Sequence, residues 1–281
     1  MAKSRRIISI ILLIIFASTS VTWAAGFDEH EIKFSKILNA RDMGGYRTKD
    51  GRIVKKNILI RSGELSYATK GDLAKLKDQY RLHKVIDFRH ATDFKYCKDK
   101  RIAGVKYRNL PAKYKKRPSK AAAKRRYKKL RNKSSKKLKK AAIPTFGKAG
   151  RSYTRDLVLS AHSQRMYRKY FEELLDNPSE KGVLIHCIYG KDRTGVAAFM
   201  TLVALGVDEE TAYKEYAMTN SYLQKHGKKT YNKGRIGVRE KDLRYAVNKA
   251  KKKYGSLERF MRIAYGLDEK KLTKLRDIYT E

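Results

Sequence analysis

The chain has 281 residues, with 68 Lys or Arg against 28 Asp or Glu, a formal charge of +40 at neutral pH, and two cysteines. That length fits one large domain, or one domain with an insertion. Two cysteines exclude a disulfide framework, and the six scattered histidines make no cluster with metal-ligand spacing, so neither a metal nor another cofactor is expected.

In chain order, Lys3, Arg5 and Arg6 precede an apolar run over residues 7–17, and Thr22-Trp23-Ala24 offers a small-residue cleavage site. This layout predicts a secretory signal peptide over residues 1–24 and a secreted or periplasmic product of residues 25–281. An uncleaved leader acting as a membrane anchor is the lesser reading, because the apolar run is short for a span. Residues 47–52 read as a hairpin turn, 58–61 as a strand, 71–80 as a helix, and 84–88 and 105–108 as strands.

Between Lys113 and Lys140 stand 16 Lys or Arg and no acid. Repulsion at i to i+4 spacing opposes an isolated helix there, although residues 121–130 have helical composition. A helix is expected over 153–175, stopped by Asn177-Pro178-Ser179, then a buried strand at 182–185. Helices over 194–205, 209–219, 241–254, 257–265 and 269–278 complete the pattern. Such alternation predicts an α/β fold with a mostly parallel central sheet flanked by helices, its active loop at the carboxyl end of a strand.

The loop that carries chemistry is His186-Cys187-Ile188-Tyr189-Gly190-Lys191-Asp192-Arg193-Thr194-Gly195, set between the strand at 182–185 and the helix at 194–205. Backbone N–H groups of Ile188, Tyr189, Gly190 and Lys191, together with the start of the helix, suit a bound anion. The same field favours a Cys187 thiolate, and the planar fork of Arg193 matches two phosphoryl oxygens.

His-Cys, five residues and Arg-Thr resembles the signature of the cysteine-dependent tyrosine phosphatases. Gly-Lys-Asp-Arg-Thr-Gly is similar to their bacterial, often secreted, branch, which acts on phosphotyrosine, on phosphoserine and phosphothreonine, and on phosphoinositides. Asn39-Ala40-Arg41-Asp42-Met43-Gly44-Gly45-Tyr46, Asp50-Gly51-Arg52, Ile60-Arg61-Ser62-Gly63 and Val85-Ile86-Asp87-Phe88-Arg89 resemble further blocks of that branch, as does the tail around Tyr254-Gly255-Ser256-Leu257 and Gly266-Leu267. The likeness spans nearly all of the chain after the leader. It implies a tyrosine-phosphatase-like fold with a lid-like region where the basic insertion, residues 113–140, lies. It also implies Cys187 as nucleophile, Asp192 as general acid and base, Arg193 as the phosphate clamp, and Thr194 as a hydrogen-bond donor to the sulfur.

Alternatives stand beside these roles. Asp87 is the rival acid, or else a strand-end residue capping a turn or holding Arg193. His186 is read as orienting the loop. Lys191 either touches substrate phosphates or is a solvated lysine, and Arg41, Asp42 and Arg89 either build a second phosphate pocket or form structural ion pairs. A reversible Cys97–Cys187 disulfide is the minor reading for the second cysteine. The expected partners are a phosphorylated protein or, as the alternative, a phosphoinositide or inositol phosphate. Contact with an anionic membrane or cell-surface polymer through residues 113–140 follows from charge, and a protein that chiefly binds polyanions is the reading from another class. No stacking motif supports specific binding of nucleic acid.

Overall fold

Among the described residues, five strands form one sheet in the order β1-β2-β5-β3-β4. They are β1 (Arg41–Asp42), β2 (Leu59–Ser62), β3 (Leu82–Asp87), β4 (Lys106–Asn109) and β5 (Gly182–His186). Among the described residues eight helices accompany them: α1 (Lys70–Asp78), α2 (Arg151–Leu159), α3 (Ala161–Leu175), α4 (Arg193–Ala204), α5 (Glu209–Tyr231), α6 (Glu240–Tyr254), α7 (Leu257–Tyr265) and α8 (Glu269–Tyr279). The computed structural model describes residues 29–90, 93, 97–112, 150–231 and 237–281, with the backbone alone at 224 and 226–231. The leader, the basic insertion 113–140 and its expected helix at 121–130 lie outside the described residues.

β2, β5, β3 and β4 run parallel, and the two-residue β1 pairs antiparallel with β2 at the sheet edge. All five residues of β5 are buried, which is what a continuous apolar run in the middle of a parallel sheet requires. Side chains alternate between the faces. Leu59, Val183, Ile185 and Ile86 join the larger core with residues of α2 to α8, whereas Ile60, Leu184, Val85 and Leu82 join Leu76 of α1 in the smaller one. The register sets Ser62, His186 and Asp87 side by side at the carboxyl ends of β2, β5 and β3.

Local chemistry sets the element ends. Thr69 and Asp72 form a reciprocal capping box at the start of α1, and Asp72 also takes the N–H groups of Ser35 and Lys36. The helix expected over 153–175 is two helices. Ser160 leaves the helical region with ψ of 139° and accepts the Ser163 N–H, so a serine cap starts α3 where continuous helix was anticipated. α5 runs well past the expected end at 219. The turn at 47–52 is present, closed by the Thr48 N–H to the Arg52 carbonyl at 2.8 Å.

Candidate active site

The loop from Cys187 to Asp192 joins the central strand β5 to α4. Four successive carbonyls of this loop are held from outside. His186 Nδ1 lies 3.1 Å from the Cys187 oxygen, and the Glu64 N–H donates to Ile188 O at 3.1 Å. Asn39 Nδ2 donates to Tyr189 O at 2.9 Å, and Arg61 Nη2 to Gly190 O at 2.7 Å. In a trans peptide the N–H points opposite to the carbonyl that precedes it. The N–H groups of Ile188, Tyr189, Gly190 and Lys191 therefore turn away from these anchors, toward the hollow of the loop. Gly190 makes this path possible: its φ is +63°, and a Cβ there would run into the Ser62 backbone.

Cys187 opens the loop and is 2% exposed. Burial opposes its thiolate, but the Arg193 guanidinium and the hydroxyl and N–H of Thr194 outweigh burial and the repulsion of Asp192, holding the thiol below its ordinary pKa. The Thr194 hydroxyl is buried and has no other partner among the described residues. Arg193 is steered by Nη1 donating to Phe88 O at 3.0 Å, and its own carbonyl accepts from the Tyr167 hydroxyl at 2.9 Å. Cys187, Arg193 and Thr194 are thus brought together.

Asp192 lies at the start of α4 with its carboxylate paired to Lys191 Nζ, 2.6 Å from Oδ2, and it keeps 16% of its side chain exposed. Lys191 is buried rather than solvated and also donates to Gly237 O at 3.4 Å. Tyr216 packs behind this turn so closely that a Cβ at Gly195 would lie 2.7 Å from its ring.

Below the loop lies a dry cluster of charges. Arg89 Nε donates to both oxygens of Asp87, at 3.0 and 2.9 Å, while Nη1 reaches Glu64 at 2.8 Å and Nη2 reaches Asp99 at 2.7 Å. His186 Nε2 stands 3.0 Å from Asp99 Oδ2. Burial disfavours charge on His186, yet Asp99 and Asp87 prevail and push its pKa up to about 9, so the ring is an imidazolium with both nitrogens as donors. Ligand atoms of Asp87, Asp99 and His186 lie within 4.8 Å of one another. This group does not fit a metal, because the Arg89 cation already engages both carboxylates and would repel a second cation there.

A profile of the tyrosine phosphatase family matches residues 32–281. The chain belongs to that family. Over 192 residues it is 28% identical to a protein of Cupriavidus necator named as a tyrosine-protein phosphatase, an alignment covering 68% of this chain and 63% of that one. Over 63 residues it is 35% identical to a tyrosine-protein phosphatase of Nostoc commune, covering 22% and 21% of the two chains. It therefore spans less than two thirds of the length of either relative. The mostly parallel sheet with its flanking helices is the α/β architecture expected of the family.

Of the remaining residues singled out from sequence, Arg41 is in the network around the loop, through Asn39 at 2.6 Å and Glu215 at 2.7 Å. Asp42 is not. Its carboxylate takes the N–H groups of Gly44 at 2.8 Å and Asn57 at 2.7 Å, so it braces the turns beside β1. Cys97 and Cys187 are both free thiols. Sequence reading met Asn39 and Arg61 only inside family-like blocks and gave them no role, and it passed over Glu64, Asp99 and Glu215. Glu215 left a trace: it lies within the buried stripe Ala212, Tyr216 and Thr219 of α5, where a carboxylate needs a buried cation.

Proposed function

We propose that this chain is an exported cysteine-dependent phosphomonoester hydrolase whose first substrate is phosphotyrosine in proteins. The observation that carries the reading is the Cys187 sulfur, held below the ordinary thiol pKa at the mouth of a loop whose amide groups face inward. In this mechanism the thiolate attacks phosphorus in line, and the bond to the leaving oxygen breaks as protonated Asp192 gives that oxygen its proton. Arg193 and the loop amides hold the three equatorial oxygens as charge moves onto them. Water then attacks the cysteinyl phosphate, Asp192 takes its proton, the S–P bond breaks, and phosphate and thiolate are released. No step calls for a metal.

Names of the relatives support a tyrosine phosphatase, and the sequence layout supports a catalytic domain from residue 25 behind a cleaved leader. Initial rates on phosphotyrosine, phosphoserine, phosphoinositide and phytate, with rapid quenching and detection of phosphate on Cys187, test the reading. A Cys187→Ser variant with substantial turnover overturns it.

Net charge favours a second reading, a phosphoinositide or inositol phosphate as substrate drawn by the 16 cations of residues 113–140. Replacing that stretch by a neutral linker then weakens affinity for phytate or phosphoinositide vesicles far more than turnover of a small aryl phosphate. The preference also fades with salt, since screening acts over about 8 Å at physiological ionic strength. Unchanged polyanion affinity at low salt returns the assignment to phosphotyrosine.

A further inference from the structure

Two of the four loop carbonyls are held by one buried assembly that reaches α5. Glu215 spends both carboxylate oxygens on arginines: Oε1 accepts from Arg41 Nε at 2.7 Å and Oε2 from Arg61 Nη1. Arg61 passes the constraint on by donating Nη2 to Gly190 O at 2.7 Å. Arg41 passes it on through Asn39. Its Nη1 donates to Asn39 Oδ1 at 2.6 Å, which fixes the amide so that Nδ2 faces Tyr189 O at 2.9 Å. Arg41 is itself pinned by Nη2 to the Glu215 carbonyl at 3.1 Å and Thr219 Oγ1 at 2.9 Å, under the Tyr222 ring. Both arginines and Glu215 are 0% exposed.

We propose that Glu215 is a positioning residue for the phosphate loop, setting the direction of the Gly190 and Lys191 amides by orienting Arg61 and, through Arg41, Asn39. The inference rests on the reading of this loop as a phosphoryl site. Its physical content is that a guanidinium has five donors in a rigid fork, so fixing one edge of Arg61 on Glu215 aims the other edge at Gly190 O. A free Arg61 has no such reason to point there.

The assembly also carries charge, two cations against one anion, and this gives a test whose sign separates geometry from electrostatics. The Arg61 pKa is brought down to about 10 by burial and by Arg41, against the pull of Glu215 and the Cys187 thiolate. If Glu215 mattered only as a charge, Glu215→Gln would leave the hollow more positive, and it would tighten anion binding and lower the thiol pKa. If it positions the loop, the same change weakens oxyanion binding although the field has become more favourable.

The experiment uses the full chain and vanadate as the probe. Its dissociation constant is measured by calorimetry beside kcat and KM on p-nitrophenyl phosphate, for the parent, Glu215→Gln and Asn39→Asp. Asparagine to aspartate keeps the shape and the Arg41 bond, removes the donor to Tyr189 and adds a negative charge, and that charge is read separately as a raised pH midpoint of Cys187 alkylation. We expect each folded variant to bind vanadate about tenfold or more weakly, with the pH midpoint of Cys187 alkylation unchanged or lower in Glu215→Gln. A lower melting temperature with parent-like vanadate affinity makes Glu215 a structural residue only and overturns the proposal, as does tighter binding. Should Glu215→Gln not fold, Arg61→Lys, which keeps the charge but loses the two-edged fork between Glu215 and Gly190, is measured instead, and parent-like affinity in it overturns the proposal. Failure of the parent itself to bind vanadate removes the phosphoryl-site reading instead, so the two failures are told apart.

Discussion

Asp87 and Arg89, two residues apart at the end of β3, grip each other twice, through the Arg89 N–H at 2.8 Å from Oδ1 and through Nε against both oxygens. A carboxylate so engaged has no free edge for a substrate. Asp192 also has both oxygens against a cation, Lys191 Nζ at 2.8 and 2.6 Å, but it keeps 16% of its side chain exposed and can be reached from the loop.

The two aspartates therefore give different phenotypes. Asp192→Asn is expected to slow alkyl phosphates by about 10²–10⁴ and aryl phosphates with good leaving groups much less, since only the former depend heavily on protonation. Asp87→Asn is expected to slow both alike and to cost on the order of 1–3 kcal/mol of stability, because Arg89 loses a buried partner. Rates on a leaving-group series with urea melts of each variant check this, and the reverse leaving-group pattern moves the acid role to Asp87.

The two thiols are set apart by their surroundings. Burial pushes Cys97 up to about 11, while Arg193 and Thr194 hold Cys187 down. At about pH 7 iodoacetate is expected to label Cys187 well before Cys97, and vanadate to protect it, because the thiolate is the reacting form. Peptide mapping after a short exposure reads the order, and equal labelling would contradict the electrostatics of the loop.

His186 makes stability depend on pH with a definite sign. Its folded pKa of about 9 lies above the ordinary value of 6.5, so the folded chain holds a proton that the unfolded one releases between those limits. The contribution is whole below pH 6.5, shrinks as pH rises, and is gone above about 9, a loss on the order of 3 kcal/mol. Urea unfolding across this window measures it. His186→Asn should remove that component of the slope; an unchanged slope assigns it to other groups.

At the start of α4 the constraint is space. Gly195→Ala places a methyl 2.7 Å from the Tyr216 ring, so a loss of about 1–3 kcal/mol is expected together with reduced turnover. Tyr216→Leu in the same chain should recover part of both. No recovery would mean that the glycine serves the backbone rather than the packing.

The central strand and the loop were legible in sequence because Gly182 to Arg193 is continuous in the chain and its chemistry is local. Most helices were legible too, from their apolar spacing. What escaped was decided by contacts between distant residues or by competition at one position. Ser160 broke a helix by taking an N–H that the helical pattern had assigned elsewhere. β1 is only two residues long and exists as a partner of β2, so no periodicity announces it. Asp99 and Arg61 each look like ordinary charged residues until His186 and Gly190 are set against them.

Three of the four anchors of the loop come from far along the chain. Asn39 and Tyr189 are separated by 150 positions, Arg61 and Gly190 by 129, and Arg41 and Glu215 by 174. Contacts this remote form only after the intervening chain has been closed into place, and closure on that scale belongs to the late, slow part of folding. A half-folded chain therefore has its cysteine but not its cradle. Recovery of activity after dilution from denaturant should trail the recovery of helix signal, and catalysis should report completion of the whole fold rather than of its active-site segment.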